Sequence, residues 1–116
     1  MDFVTAVRTC FSKYVTFDGR ASRSEFWWWF LFSIIANAVA VTLDSIVGMP
    51  AFQVIVGLGL ILPGIAVGVR RLHDTDKSGW LYLLVFVPII GALVLLFFFV
   101  QAGTAGSNRF GSDPLR

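Results

Sequence analysis

A chain of 116 residues with 57% hydrophobic and 14% charged side chains lacks the polar surface to coat a soluble globule, since soluble domains carry about 25% charged residues. A net charge of +2, a single histidine and a single cysteine exclude a basic nucleic-acid platform, an internal disulfide and a cysteine-based zinc site. Charges are absent from Phe26 to Leu43, from Ser45 to Val69 and from Ser78 to Asn108. A membrane-spanning helix needs about 20 mainly apolar residues, so each stretch is long enough. The expectation is an all-α integral membrane protein: one membrane domain over residues 1–116, with three transmembrane helices preceded by an N-terminal amphipathic interfacial helix.

Residues 2–17 carry Phe3, Val7, Cys10, Phe11 and Tyr14 at three- and four-residue steps, with Arg8, Ser12 and Lys13 on the other face. That pattern predicts a helix lying in the membrane interface, its basic residues toward water and headgroups. "FDGRAS" (Phe17 to Ser22) follows as a turn, and Ser22 with Glu25 has the capping-box spacing.

The first predicted span is 26–43. It opens on Trp27, Trp28 and Trp29, an aromatic belt at the water boundary. Three successive rings fan out at about 100° steps, so one turns inward. Ser33, Ala36, Asn37 and Ala40 share one face, which reads as a helix-packing surface with Asn37 seeking an interhelical hydrogen bond. The second span, 51–69, has Gly57, Gly64 and Gly68 on a face suited to close helix approach. Pro63 removes one amide donor and crowds the carbonyl of Gly59, which predicts a kink.

Between the second and third spans lies "RRLHDTDKSGW" (Arg70 to Trp80), the densest polar cluster. The third span is 80–100, with Pro88 and Gly91 as weak points, and 101–116 is a polar, glycine-rich tail. Lys and Arg flank the first span's start and fill the second link, while 44–50 has none. The positive-inside rule therefore puts the N-terminus and second link in the cytoplasm. Three crossings then put the tail outside, with its Arg109 and Arg116.

That topology brings Arg20, Arg23, Glu25 and Trp27 to the same membrane face as Arg70, Arg71, His73, Asp74, Lys77 and Trp80. The set reads as an ion-pair layer at the bundle end, or as a site for anionic headgroups. His73 beside Asp74 invites comparison with a catalytic dyad. Neighbours on a helix diverge by about 100°, however, and no nucleophile stands at motif spacing. No cofactor or metal site is expected.

The motifs "FDGRASRSEFW", "RRLHDTDKSGW" and "QAGTAGSNRFGSDP" together resemble the bacterial family catalogued as domain of unknown function 805. The resemblance runs over nearly the whole chain and implies a small, multi-pass bacterial inner-membrane protein. It adds Gly19, Ser78, Gly79, Gly106, Asn108, Gly111, Asp113 and Pro114 to the motif positions, and it marks Trp27 as the ring that turns inward. It also raises an alternative topology. If the tail acts with the two inner clusters, either the N-terminus lies outside or one span is a re-entrant pair, with Pro88 and Gly91 as candidate break points in the third span.

The expected function is therefore a non-enzymatic structural or interaction component of the inner membrane. Its partners would be the lipid bilayer, anionic headgroups, and further membrane proteins or copies of itself. The alternatives are a small oligomeric transporter or channel lined by Ser33 and Asn37, and a membrane-embedded enzyme using His73 with Asp74.

Overall fold

The computed structural model describes residues 2–114, so Arg116 lies outside the described residues. Helix α1 spans Phe3–Ser12 and starts where the Asp2 carboxylate accepts the Thr5 amide at 2.8 Å. Helix α2 spans Arg23–Val47. The Ser22 hydroxyl accepts the Glu25 amide at 3.3 Å, which is half of the expected capping box. The Glu25 side chain does not complete it, having an arginine to meet instead. Gly48, at φ 87°, ends α2 in the left-handed conformation that glycine adopts without a Cβ penalty. Helix α3 spans Ala51–Asp74 and returns antiparallel to α2. The buried Asp44 ties the two together by accepting the Phe52 and Gln53 amides at 2.7 and 3.0 Å. Both α2 and α3 are long and apolar enough to cross a membrane.

The third apolar run does not form the single span expected over 80–100. It divides into a 3-10 segment, Gly79–Phe86, and a short helix α4, Ile90–Val100. Between them Ile89 has φ 66° and ψ −66°, and the Ile90 amide bonds the Pro88 carbonyl at 2.7 Å. This is a γ-turn of the strained kind, and it reverses the chain. Gly91 lets the two arms close, because a Cβ there would overlap the Leu84 carbonyl. With eight residues at about 2.0 Å and eleven at about 1.5 Å, each arm is roughly 16 Å long. That is about half a hydrocarbon core of about 30 Å. Both ends of this hairpin lie at the C-terminal end of α3. Gly79 packs on Val69 and His73, while the Phe99 carbonyl accepts from Arg71. The tail therefore emerges beside the turn before α2 and the second link, not on the opposite side as three crossings required.

Helix α1 docks on α2 and α3 through buried Ala6 and Cys10. Phe3 meets Trp28 edge-on and Phe11 meets Trp29 edge-on. Past the helix, the Tyr14 hydroxyl donates to the Gly59 carbonyl at 2.7 Å. That carbonyl is the one Pro63 leaves without its helical donor. The apparent defect in α3 thus becomes an anchor for the N-terminal segment.

Candidate functional site

The charged end of the bundle is built from the turn before α2, the first turn of α2, the last turn of α3, both ends of the hairpin and the tail. Asp74 is its hub. One carboxylate oxygen accepts from Arg20 Nε at 3.0 Å and the other from Arg71 Nη1 at 2.8 Å. All three side chains are buried. A second pair joins Arg70 to Glu25 at 2.5 Å, with the Cys10 thiol 3.7 Å from the same glutamate oxygen. Burial, reinforced by Glu25, pushes the Cys10 thiol up to about 12, so it stays protonated and unreactive. Arg70 is fully buried, yet its Nε and Nη2 have no hydrogen-bond partner among the described residues.

Arg20 and Arg71 are satisfied largely by carbonyls of the tail and of the end of α4. Arg20 donates to Thr104, to Gly106 at 2.6 Å and to Gly111 at 3.3 Å. Arg71 donates to Phe99 at 3.2 Å and to Gln101. The tail answers with donors of its own. The Thr104 amide bonds the Asp74 carbonyl at 2.7 Å, and the Asn108 amide group bonds the His73 carbonyl at 2.9 Å. Gly103 lies so close to the Asp74 carboxylate that any Cβ would overlap it. A polar, glycine-rich segment can bring many carbonyls to two guanidinium groups because each fork has five fixed donors.

His73 is drawn into the same structure. Its Nδ1 lies 2.9 Å from the Gly19 carbonyl, which fixes that nitrogen as the donor. Its ring stacks on Phe110 at 3.9 Å between centroids and 2° between planes. Nε2 is directed toward Gly79, at the edge of a cavity of about 480 Å³ lined by Phe17, Val69, Ser78, Tyr82 and Phe110. Lys77 bonds the Gln101 side chain at 3.3 Å and covers the Phe98 ring at 4.9 Å.

Arg20, Glu25, Arg70, Arg71, His73 and Asp74 thus meet in one buried layer. Arg23 stays exposed and donates to the Val100 carbonyl at 3.3 Å. Trp80 is 79% exposed and lines the cavity beside His73 without entering the buried layer. The inward ring is Trp29, not Trp27: Trp29 is buried, whereas Trp27 is half-buried and donates to the Phe99 carbonyl at 3.3 Å. Among the packing positions, Gly64 admits the Trp29 indole and Gly68 admits the Tyr82 ring. Ser33 turns its hydroxyl back to the Trp29 carbonyl at 2.9 Å. Gly57 faces open space. Asn37 does not meet another helix; it is exposed. Phe110, Gln101, Thr104 and Asp44 carry structure that sequence patterns did not single out. Helical periodicity cannot register Phe110, Gln101 or Thr104, because the tail has none.

Comparison with known proteins agrees with the apolar architecture. The chain is 48% identical over 104 residues to the inner membrane protein YhaI of Escherichia coli K12, covering 88% of each chain. It is 46% identical over 108 residues to the inner membrane protein YhaH of the same strain, covering 88% of this chain and 89% of the relative. No solved structure matches it. Residues 14–112 match the family described as "Protein of unknown function (DUF805)", a range that takes in the charged layer and the tail that closes it, and the chain belongs to that family.

Proposed function

We propose that this chain is a non-enzymatic structural or interaction component of the bacterial inner membrane. In this reading α2 and α3 cross the bilayer and the hairpin enters and leaves on one side. Helix α1 lies at the interface, and the charged layer sits at the cytoplasmic boundary. The observation that carries the reading is the commitment of Asp74: both carboxylate oxygens are bound by buried arginines. A catalytic His–Asp pair needs the carboxylate to orient the imidazole. Here the imidazole is oriented by a backbone carbonyl and covered by Phe110.

The cytoplasmic placement is supported by the charges. Arg109 bonds Asp76 at 3.2 Å, so the tail's described arginine shares an end with Arg20, Arg23, Arg70, Arg71 and Lys77. The 44–50 link, at the other end, has no Lys or Arg. Two crossings therefore fit the positive-inside rule with no exception among these residues. Arg20, Arg70 and Arg71 are buried, so contact with anionic headgroups falls to the exposed Arg8, Lys13 and Arg23. Each would contribute about 1 kcal/mol near an anionic leaflet.

Cysteine accessibility tests the topology. In a Cys10→Ser background, a membrane-impermeant maleimide added to intact spheroplasts should label Gly48→Cys and spare Ser107→Cys. Labelling of both would overturn the two-crossing reading. Complementation tests the absence of chemistry. His73→Phe keeps an aromatic ring against Phe110 and removes every titratable atom. It should restore the growth and membrane-stress profile of a strain lacking this chain. Loss of function with an intact fold would favour the enzyme instead.

A further inference from the structure

Below the charged layer, α2, α3 and the hairpin leave an open apolar groove of about 690 Å³. Phe30 and Ser33 line it from α2, Gly57 and Ile61 from α3, and Leu96 from α4. Asn37 continues the α2 stripe of Phe30 and Ser33 at helical spacing. It is exposed near the middle of the 25-residue helix, and its side chain has no hydrogen bond among the described residues. Its depth is fixed by two contacts. A Cβ on Gly64 would lie 3.6 Å from the Trp29 indole nitrogen, and Asp44 caps Phe52 and Gln53. Between those levels of an antiparallel pair, Asn37 falls at the depth of Gly57, where an added Cβ would meet nothing within 4 Å.

A free carboxamide facing hydrocarbon is costly, and it gains by meeting another donor and acceptor. We infer that this face binds a second copy of the chain, with the two Asn37 side chains paired across a two-fold axis along the membrane normal. Three features select a second copy over another occupant. Copies inserted in the same orientation carry Asn37 at the same depth. A carboxamide is both donor and acceptor, so it complements itself, as an isologous interface requires. The empty space over Gly57 gives the partner's α2 room to approach. An acyl chain could fill the groove but would leave the amide unpaired. The inference goes beyond the proposed function and is independent of the fate of His73 and Asp74.

The test is single-molecule photobleaching or energy transfer in liposomes over a range of protein-to-lipid ratios. Dimers should form reversibly. Asn37→Leu, an apolar change on an exposed face, should weaken association roughly 3- to 18-fold, from the average to the largest interhelical hydrogen bond measured in a membrane protein. Asn37→Gln should retain association, and Gly57→Leu should weaken it by filling the groove. In a Cys10→Ser background, Ile34→Cys should oxidise to a disulfide dimer and Ile35→Cys, about 100° around the helix, should not. A monomer at every ratio, equal cross-linking at both positions, or undiminished association in Asn37→Leu would each overturn the inference. So would a tightly bound phospholipid that Gly57→Leu expels from an unassociated chain.

Discussion

The two ends of the α2–α3 pair are secured by different chemistry. At the charged end, three arginines and two carboxylates are buried together and roofed by tail carbonyls. At the other end, Gly48 to Pro50 joins the helices and one buried carboxylate, Asp44, fastens the start of α3. The apolar faces between are largely exposed, which fits the proposal that α2 and α3 cross the bilayer. Lipid supplies no hydrophobic drive for helix to meet helix, so specific polar contacts and close packing must fix the arrangement. This protein concentrates them at one end, and leaves the other end as a short turn with a cap.

The contrast predicts unequal responses to similar substitutions. Removing the charge of Asp74 leaves Arg20 and Arg71 buried without compensation. Breaking one partner of a buried ion pair costs about 3–5 kcal/mol, and Asp74→Asn should fall in that range. Denaturant titration in mild detergent would measure the loss, and protease should cut the tail of the variant sooner. An Asp74→Asn protein as stable as the parent would show that the layer is not the main clamp.

Next in size comes the hairpin. Gly91→Ala places a methyl group against the Leu84 carbonyl, a backbone atom with little freedom to retreat. Overpacking of this kind costs about 1–3 kcal/mol, seen as a lower unfolding midpoint. At the far end, Asp44→Ala removes one cap serving two amides and should cost about 1–2 kcal/mol. The smaller loss at Asp44 than at Asp74, measured side by side, is the quantitative form of the difference between the ends.

Much of the charged end could be read in advance from residue types. Charge-free runs marked α2 and α3, and Ser22 marked the start of α2. The two polar segments around Arg20 and Arg70 had to meet because the intervening helices form an antiparallel pair. The tail's location was not legible from charge alone. A proline within an apolar run does not by itself break a membrane helix, and the reversal depends on Ile89 adopting a left-handed φ that no residue preference would suggest. The same limit applied to the tryptophans. Spacing required that one ring turn inward, but the packing of Phe11 and Phe32 selected Trp29. Glu25 illustrates a competition: the spacing offered it the Ser22 amide, and the buried Arg70 offered a full opposite charge at 2.5 Å.

The smallest predicted effect concerns the link between the N-terminal segment and the kink in α3. Tyr14→Phe removes one hydrogen bond to the Gly59 carbonyl and should cost about 1 kcal/mol. Loss of a general packing contact would have the same cost whatever stands at position 63. The donor argument predicts otherwise. Pro63→Ala restores an amide that can reach the Gly59 carbonyl from within α3, so the phenol then competes for an acceptor already served. Tyr14→Phe should accordingly cost less in the Pro63→Ala background than in the parent. A double-mutant cycle reads the difference directly. Additive costs would mean that the contribution of the Tyr14 hydroxyl does not depend on the amide missing at position 63. Coupling would mean that a missing helix amide in α3 is what recruits the N-terminal segment to the bundle.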